Sequence, residues 1–281
     1  MNAIKAIDAT IATVALCGLV SAGTVQAQMA RPGAATAAVP GAINVGSEAA
    51  RGRWVGLAGA SLAATSGNTS SSALVLNLDL SRLTDENKTS LSGAVNEARN
   101  RNNGVANTTS GKWSVAGQYD HNLTPVWFAL GKLGFERDRV IDLKLRTLSS
   151  VGLGYHLVRS DDHTVDVFGG LSYSRETYGQ DKTISDDTGR RFSSTAILMG
   201  QETSHRLTDT VFFKQRLEFY NGIGGQLDKL IRFNASLNVA MTKTLSLSVS
   251  LIDTYNSRPA EGQKKNDASL LTGVNVKLGG N

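Results

Sequence analysis

The chain has 281 residues, of which 41% are hydrophobic and 19% charged, with a formal net charge of +5 and a mean hydropathy of −0.14. The positive charge is spread without a basic block, so the electrostatic footprint of a nucleic-acid binder is missing, and a single cysteine, Cys17, excludes a disulfide framework. Beyond the N-terminus no stretch approaches the roughly 18 consecutive apolar residues of a membrane-spanning helix.

In chain order, the first element predicted is a cleavable signal peptide over residues 1–27. Lys5 supplies a positive start, Ile11 to Val20 an apolar stretch, and Val25-Gln26-Ala27 a small-residue cleavage site. Leu16 stands where a lipoprotein signal wants a small residue before Cys17, which argues against lipidation. The mature chain is then exported without cysteine, and core burial or lipid must stabilise it. Residues 28–52 are rich in Ala, Gly and Pro without periodicity and read as a flexible leader.

Residues 53–281 read as one all-β unit. Leu74, Leu76, Leu78 and Leu80 alternate with Val75, Asn77, Asp79 and Ser81, the period of two of a strand with one apolar face. Similar alternation predicts twelve strands, at 53–64, 72–83, 88–99, 111–122, 126–137, 143–157, 164–177, 193–206, 210–220, 230–241, 245–256 and 269–278. The connections alternate in length. Those after even-numbered strands (84–87, 123–125, 158–163, 207–209, 242–244) are short, and most of those after odd-numbered strands (100–110, 138–142, 178–191, 221–229, 257–268) are longer. Short turns at one end and longer loops at the other are the pattern of an antiparallel up-and-down transmembrane β-barrel.

The distribution of rings and charges then says which face is dry. On the more apolar parity, Trp113, Phe135, Tyr173, Phe219, Phe233 and Tyr255 fall at the loop-side ends, and Tyr119, Trp127, Tyr155 and Phe213 at the turn-side ends. Two aromatic girdles around an aliphatic band are what a bilayer selects. The opposite parity collects Asp79, Asn96, Lys132, Glu136, Lys144, Arg146, Asp166, Glu202, Lys214, Arg216, Glu218, Arg232, Asn234 and Asn238, which are expected to face a wet, narrow lumen. Around 207–209 a register in which paired numbers sum to 416 sets Glu202 opposite Lys214 inside, and Gln201 opposite Gln215 outside. That glutamine pair is expected either to bond amide to amide or to mark a contact with a subunit or partner.

Several segments now carry a resemblance: TSGNTSSSALVLNLDLSR, GQYDHNLTPVWFALGKLGFERD, VGLGYHLV, GQETSHRLTDTVFFKQRLEFYN and SLIDTYNSRPAEGQKKNDASLLTGVNVKLG. In this order the sequence resembles the YdiY-like family, described as salt-induced outer membrane proteins within a domain of unknown function, over about 54–278. The resemblance implies a barrel in the bacterial outer membrane and a setting of osmotic stress, and it brings no catalytic residues. The last strand departs from the usual barrel ending, with Val276 and Leu278 where rings are common.

No enzyme is expected. His121, His156, His163 and His205 all fall at turn-side ends, away from the loop-side level that a lipase or protease site on a barrel would use. No two of them have metal-ligand spacing, and neither a metal nor a cofactor is expected. The glycine patterns at 152–154 and 222–225 precede no helix and so cradle no phosphate. The remaining chemistry is that of the lumen charges Lys132, Glu136, Lys144, Arg146, Asp166, Glu202, Lys214, Arg216, Glu218 and Arg232. Rings of charge set selectivity in pores, and mixed signs argue against strong ion selectivity. Three readings stay open: a narrow passive pore for small solutes or ions, a structural envelope barrel whose charges neutralise one another, and a surface interaction or adhesion protein using outer loops, chiefly 178–191 and 257–268. The lipid bilayer is the one partner common to all three, and the sequence leaves the oligomeric state open.

Overall fold

The computed structural model describes residues 51–65, 69–102, 105–260 and 263–279. The signal peptide and all of the leader up to residue 50 lie outside the described residues. Twelve strands follow in order: β1 (Trp54–Thr65), β2 (Thr69–Leu83), β3 (Asn87–Asn102), β4 (Val105–Asn122), β5 (Trp127–Asp138), β6 (Leu143–Arg159), β7 (His163–Ile184), β8 (Asp187–Arg206), β9 (Val211–Gly225), β10 (Lys229–Ala240), β11 (Leu245–Asn256) and β12 (Asn266–Leu278). Each pairs antiparallel with its neighbours in sequence, and β12 returns to β1, so the sheet closes. Closure removes both edges, the condition for a sheet in a medium that cannot hydrogen-bond to it. The closing seam is short: β1 meets β12 only over Gly56–Ala60.

Twelve strands stand at the expected places, and their ends extend further than expected on the loop side. The segment 178–191, expected as the longest outer loop, is largely strand. β7 and β8 run on to a two-residue connection at Ser185 and Asp186, where Ser185 has a φ of 56°. Only 257–265 remains as a long connection on that side.

Five turns on the opposite side share one chemistry. Each opens with a hydroxyl residue: Thr84, Thr124, Ser160, Thr208 or Thr242. Its side-chain oxygen accepts a backbone N–H three residues on, from Asn87, Trp127, His163, Val211 and Leu245 respectively. The same backbone carbonyls of those five residues accept the N–H of the hydroxyl residue. The hydroxyl thus satisfies a donor that the turn leaves without a ladder partner.

This turn chemistry corrects the expected register between β8 and β9. Leu207 N–H donates to Val211 O, so paired numbers sum to 418, two more than expected. Glu202 stands opposite Arg216, Ser204 opposite Lys214, and Gln201 opposite Leu217 instead of Gln215. A shift of two residues preserves the faces, whereas a shift of one would exchange them. Gln201 and Gln215 both keep the outward parity, but the amide of Gln201 donates to Thr203 Oγ1 at 2.8 Å on its own strand.

The outer surface carries Leu76, Leu78, Leu91, Val95, Val115, Leu133, Val151, Leu153, Leu171, Val249 and Leu251, all substantially exposed. The rings of Trp113, Tyr119, Trp127 and Tyr173 stand exposed on the same face, and Trp127 packs edge-on against Tyr155 at 5.1 Å. Ser90, Ser92, Ser114, Gln118, Lys132, Glu136, Ser150, Ser172, Glu202, Arg216 and Glu218 are buried on the inner face. Outside apolar and inside polar is the reverse of a soluble sheet and defines a transmembrane barrel. Among the described residues no helix is long and apolar enough to cross a membrane; the crossing is made by strands.

The inner face is not uniformly polar. Phe128, Leu130, Leu148, Phe168, Ala196, Leu198 and Tyr220 form an apolar cluster along the inner wall of β5 to β9. Two glycines make room for its rings. Phe128 is paired with Gly154 and Phe168 with Gly200, and a Cβ at either glycine would strike the opposing ring.

Candidate functional site in the lumen

The charged side chains of the interior come from strands that face each other across the ring. Arg216 on β9 is the hub of the lower layer. Its Nη1 donates to Glu202 Oε2, its Nε and Nη2 to Glu218 Oε1 at 3.0 and 2.8 Å, and its Nη2 also to Gln118 Oε1 on β4 at 2.7 Å. Lys132 on β5 donates to both oxygens of Glu218 at 2.7 and 2.9 Å. Lys88 on β3 reaches Glu202 at 2.8 Å, and Lys214 reaches the same oxygen at 3.2 Å. The Arg216 guanidinium also lies 4.9 Å above the centre of the Phe168 ring, a cation–π contact. Bonds from β3, β4 and β5 to β8 and β9 tie opposite walls together. Each of these buried charges has a partner of the other sign, which burial demands.

An upper layer centres on Glu136. Lys112 pairs with it at 2.8 Å and Arg146 at 3.2 Å, while Arg232 approaches only to 3.9 Å from across the ring. Arg146 also donates to Glu176 at 2.8 Å, and the Tyr178 hydroxyl donates to the same carboxylate at 2.7 Å. Near the turn side, His156 Nδ1 lies 2.7 Å from Asp166 Oδ1, and its ring stacks on Phe128 at 4.8 Å.

Of the ten expected lumen charges, nine face the interior: Lys132, Glu136, Arg146, Asp166, Glu202, Lys214, Arg216, Glu218 and Arg232. Lys144 does not, which corrects its expected place. The pairing of β6 with β7 shifts between Leu143 and Leu145, a bulge that turns Leu143 inward and leaves Lys144 exposed at the rim. There it pairs with Asp142 at 2.9 Å, and this ammonium holds the Asp142 carboxyl below the usual carboxylate range.

Lys88, Lys112, Asp120, Asp138 and Glu176 belong to the interior but did not stand out in the sequence. The signal was present for two of them, since Lys112 and Asp120 share the parity of Gln118 and oppose that of Trp113 and Tyr119. Among the described residues no group of three or more His, Cys, Asp or Glu side chains could hold a metal ion.

Above the Glu136 layer lies a cavity of about 200 Å³, open to solvent on the loop side. Its floor includes Leu148, Tyr220 and Arg232, and its rim Arg258, Lys264 and Lys265. Part of its wall is a second apolar cluster, in which Leu143, Tyr178, Ile184, Phe192 and Ala260 pack together.

The chain is similar to several solved barrels at low identity. The translocator domain of autotransporter NalP from Neisseria meningitidis is 10% identical with a TM-score of 0.45, over 80% of this chain and 87% of that one. The NanC porin is 14% identical with a TM-score of 0.45, over 80% of this chain and 100% of that one. An outer membrane channel from Pseudomonas putida F1 is 12% identical with a TM-score of 0.43, over 80% and 93% of the two chains. No curated protein matches the sequence. The profile of a family described as a protein of unknown function, DUF481, matches residues 58–278, from within β1 to the end of β12. The chain therefore belongs to the DUF481 family, to which the YdiY-like outer membrane proteins also belong.

Proposed function

We propose that the protein is exported by its N-terminal signal, inserts in the bacterial outer membrane, and acts there without enzymatic chemistry as a narrow passive pore for small hydrophilic solutes or ions. The observation that carries this reading is the uneven filling of the lumen. Ion pairs and the apolar cluster crowd the side from β3 to β9. The wall from β10 round to β3 carries mainly short polar side chains, among them Ser236, Asn238, Ser246, Ser248, Asn275, Asn77, Ser81 and Ser92. Because these side chains are short, they obstruct the lumen less than the charged and aromatic ones opposite.

Planar-bilayer recording tests the reading. Small, weakly selective current steps from the purified chain are expected, since paired charges of both signs line the path. Absence of current across several salts would overturn it. A second reading, a closed structural barrel, is favoured by the bonds from Arg216 to Gln118 and from Lys132 to Glu218, which tie opposite walls together. The same recording separates the two. The resemblance to the YdiY-like proteins, described as salt-induced, makes osmotic stress the proposed setting, and growth of a deletion strain at high salt is its test.

A further inference from the structure

The upper layer of the lumen holds a buried guanidinium that the ion-pair network leaves under-used. The Arg232 side chain is only 9% exposed, yet none of its nitrogens makes a hydrogen bond among the described residues. Its Nε is buried without a partner, Glu136 lies 3.9 Å away, beyond hydrogen-bond reach, and the ring of Tyr220 lies 6.0 Å from its Cζ. The contrast with Arg216 in the lower layer is plain, because Arg216 donates to three side chains. A buried guanidinium is costly unless its donors are met. Arg232 lines the floor of the loop-side cavity, where a ligand entering from outside can meet them.

The rest of the cavity restricts what that ligand is. Basic side chains outnumber acidic ones in the lining by six to four, and Lys264 and Lys265 stand exposed at the rim. The excess favours an anion. A guanidinium fork matches a carboxylate in two parallel bonds. Beside Arg232, Leu148, Tyr220, Leu227 and Leu230 present a continuous apolar wall. An inorganic anion gains nothing from that wall, whereas an apolar body does.

We infer that the cavity is a binding site for a small organic monocarboxylate with an apolar body, its carboxylate on Arg232 and its body against Leu148, Tyr220, Leu227 and Leu230. The site goes beyond the pore reading and does not need the lumen below it to be open. In a conducting barrel its occupant sits in the path, and in a closed barrel the cavity is a surface receptor pocket.

The test is equilibrium titration of the mature chain in detergent micelles with benzoate, acetate and inorganic phosphate. Benzoate is expected to bind saturably, and acetate and phosphate at least tenfold more weakly. Arg232→Gln is expected to weaken benzoate about tenfold or more, the loss of a charge-assisted bidentate pair. Leu227→Asn, on the apolar wall and outside the ion-pair network, is expected to weaken benzoate while leaving acetate unchanged, and it decides the matter if Arg232→Gln fails to fold. Heat-modifiable gel mobility reports folding of each variant. Benzoate binding that is absent, that is equal in wild type and both variants, or that acetate or phosphate matches would overturn the site. Because the titration reads binding and the bilayer recording reads current, either proposal can fail without the other.

Discussion

At the scale of single residues, the interior is decided by what each side chain must be paired with once water is limited. Glu202 is the clearest case: Lys88, Lys214 and Arg216 all converge on it. Replacing Glu202 with Gln leaves three cations facing one another with no carboxylate between them. Breaking a buried pair from one side costs about 3–5 kcal/mol. The urea midpoint of the micelle-embedded protein, read by tryptophan fluorescence, should fall accordingly, and an unchanged midpoint would refute the convergence. Glycines divide by what surrounds them. Gly200→Ala drives a methyl into the Phe168 ring and should destabilise by about 1–3 kcal/mol. Gly131→Ala meets nothing within 4 Å and should be neutral or stabilising by up to about 1 kcal/mol; the same unfolding experiment compares the two. Much of this lumen could be read from parity alone, since Lys132, Glu136, Arg216 and Glu218 each adjoin an outward apolar residue, Leu133, Phe135, Leu217 or Phe219. Lys144 could not, because a bulge resets the alternation without leaving a mark in composition. Phe128 and Phe168 were hidden for a different reason. A rule that sends rings to lipid has no place for a ring lying over a glycine of the next strand.

At the scale of elements, the strands were legible because period two is strong where one face is apolar. The β8–β9 register was not, because charge pairing does not decide it. Glu202 reaches Lys214 as well as Arg216, so sums of 416 and 418 both put opposite charges together. Turn chemistry decides it instead. The hydroxyl at the first turn position recurs in five turns as Thr84, Thr124, Ser160, Thr208 and Thr242, in sequences such as RLTDEN, NLTPVW and RLTDTV. This repeat was present in the sequence as a marker of where each turn begins. Thr208→Ala removes the acceptor for the Val211 N–H and should lower stability by about 1 kcal/mol, with Thr208→Ser close to wild type. Equal urea midpoints for all three proteins would show that the hydroxyl does not hold the turn.

At the scale of the whole molecule, the inverted distribution of polarity means that the folded chain needs an amphiphile, and dilution of detergent below its micellar limit should precipitate it. The same scale governs conduction. Arg216→Ala removes the link from β9 to Gln118 on β4 and should enlarge any current step, because it widens the lumen from the crowded half toward the path along the other; a smaller or unaltered step would show that Arg216 does not narrow the path. The joint between β1 and β12 has a consequence of its own. It holds only from Gly56 to Ala60, five rungs, where every other pair of neighbouring staves shares at least eleven. Opening free energy follows the number of ladder bonds that must break together. The cylinder should therefore part first along this line, and deuterium should enter the amides of Gly56–Ala60 and Val274–Val276 well before those of the β7–β8 hairpin.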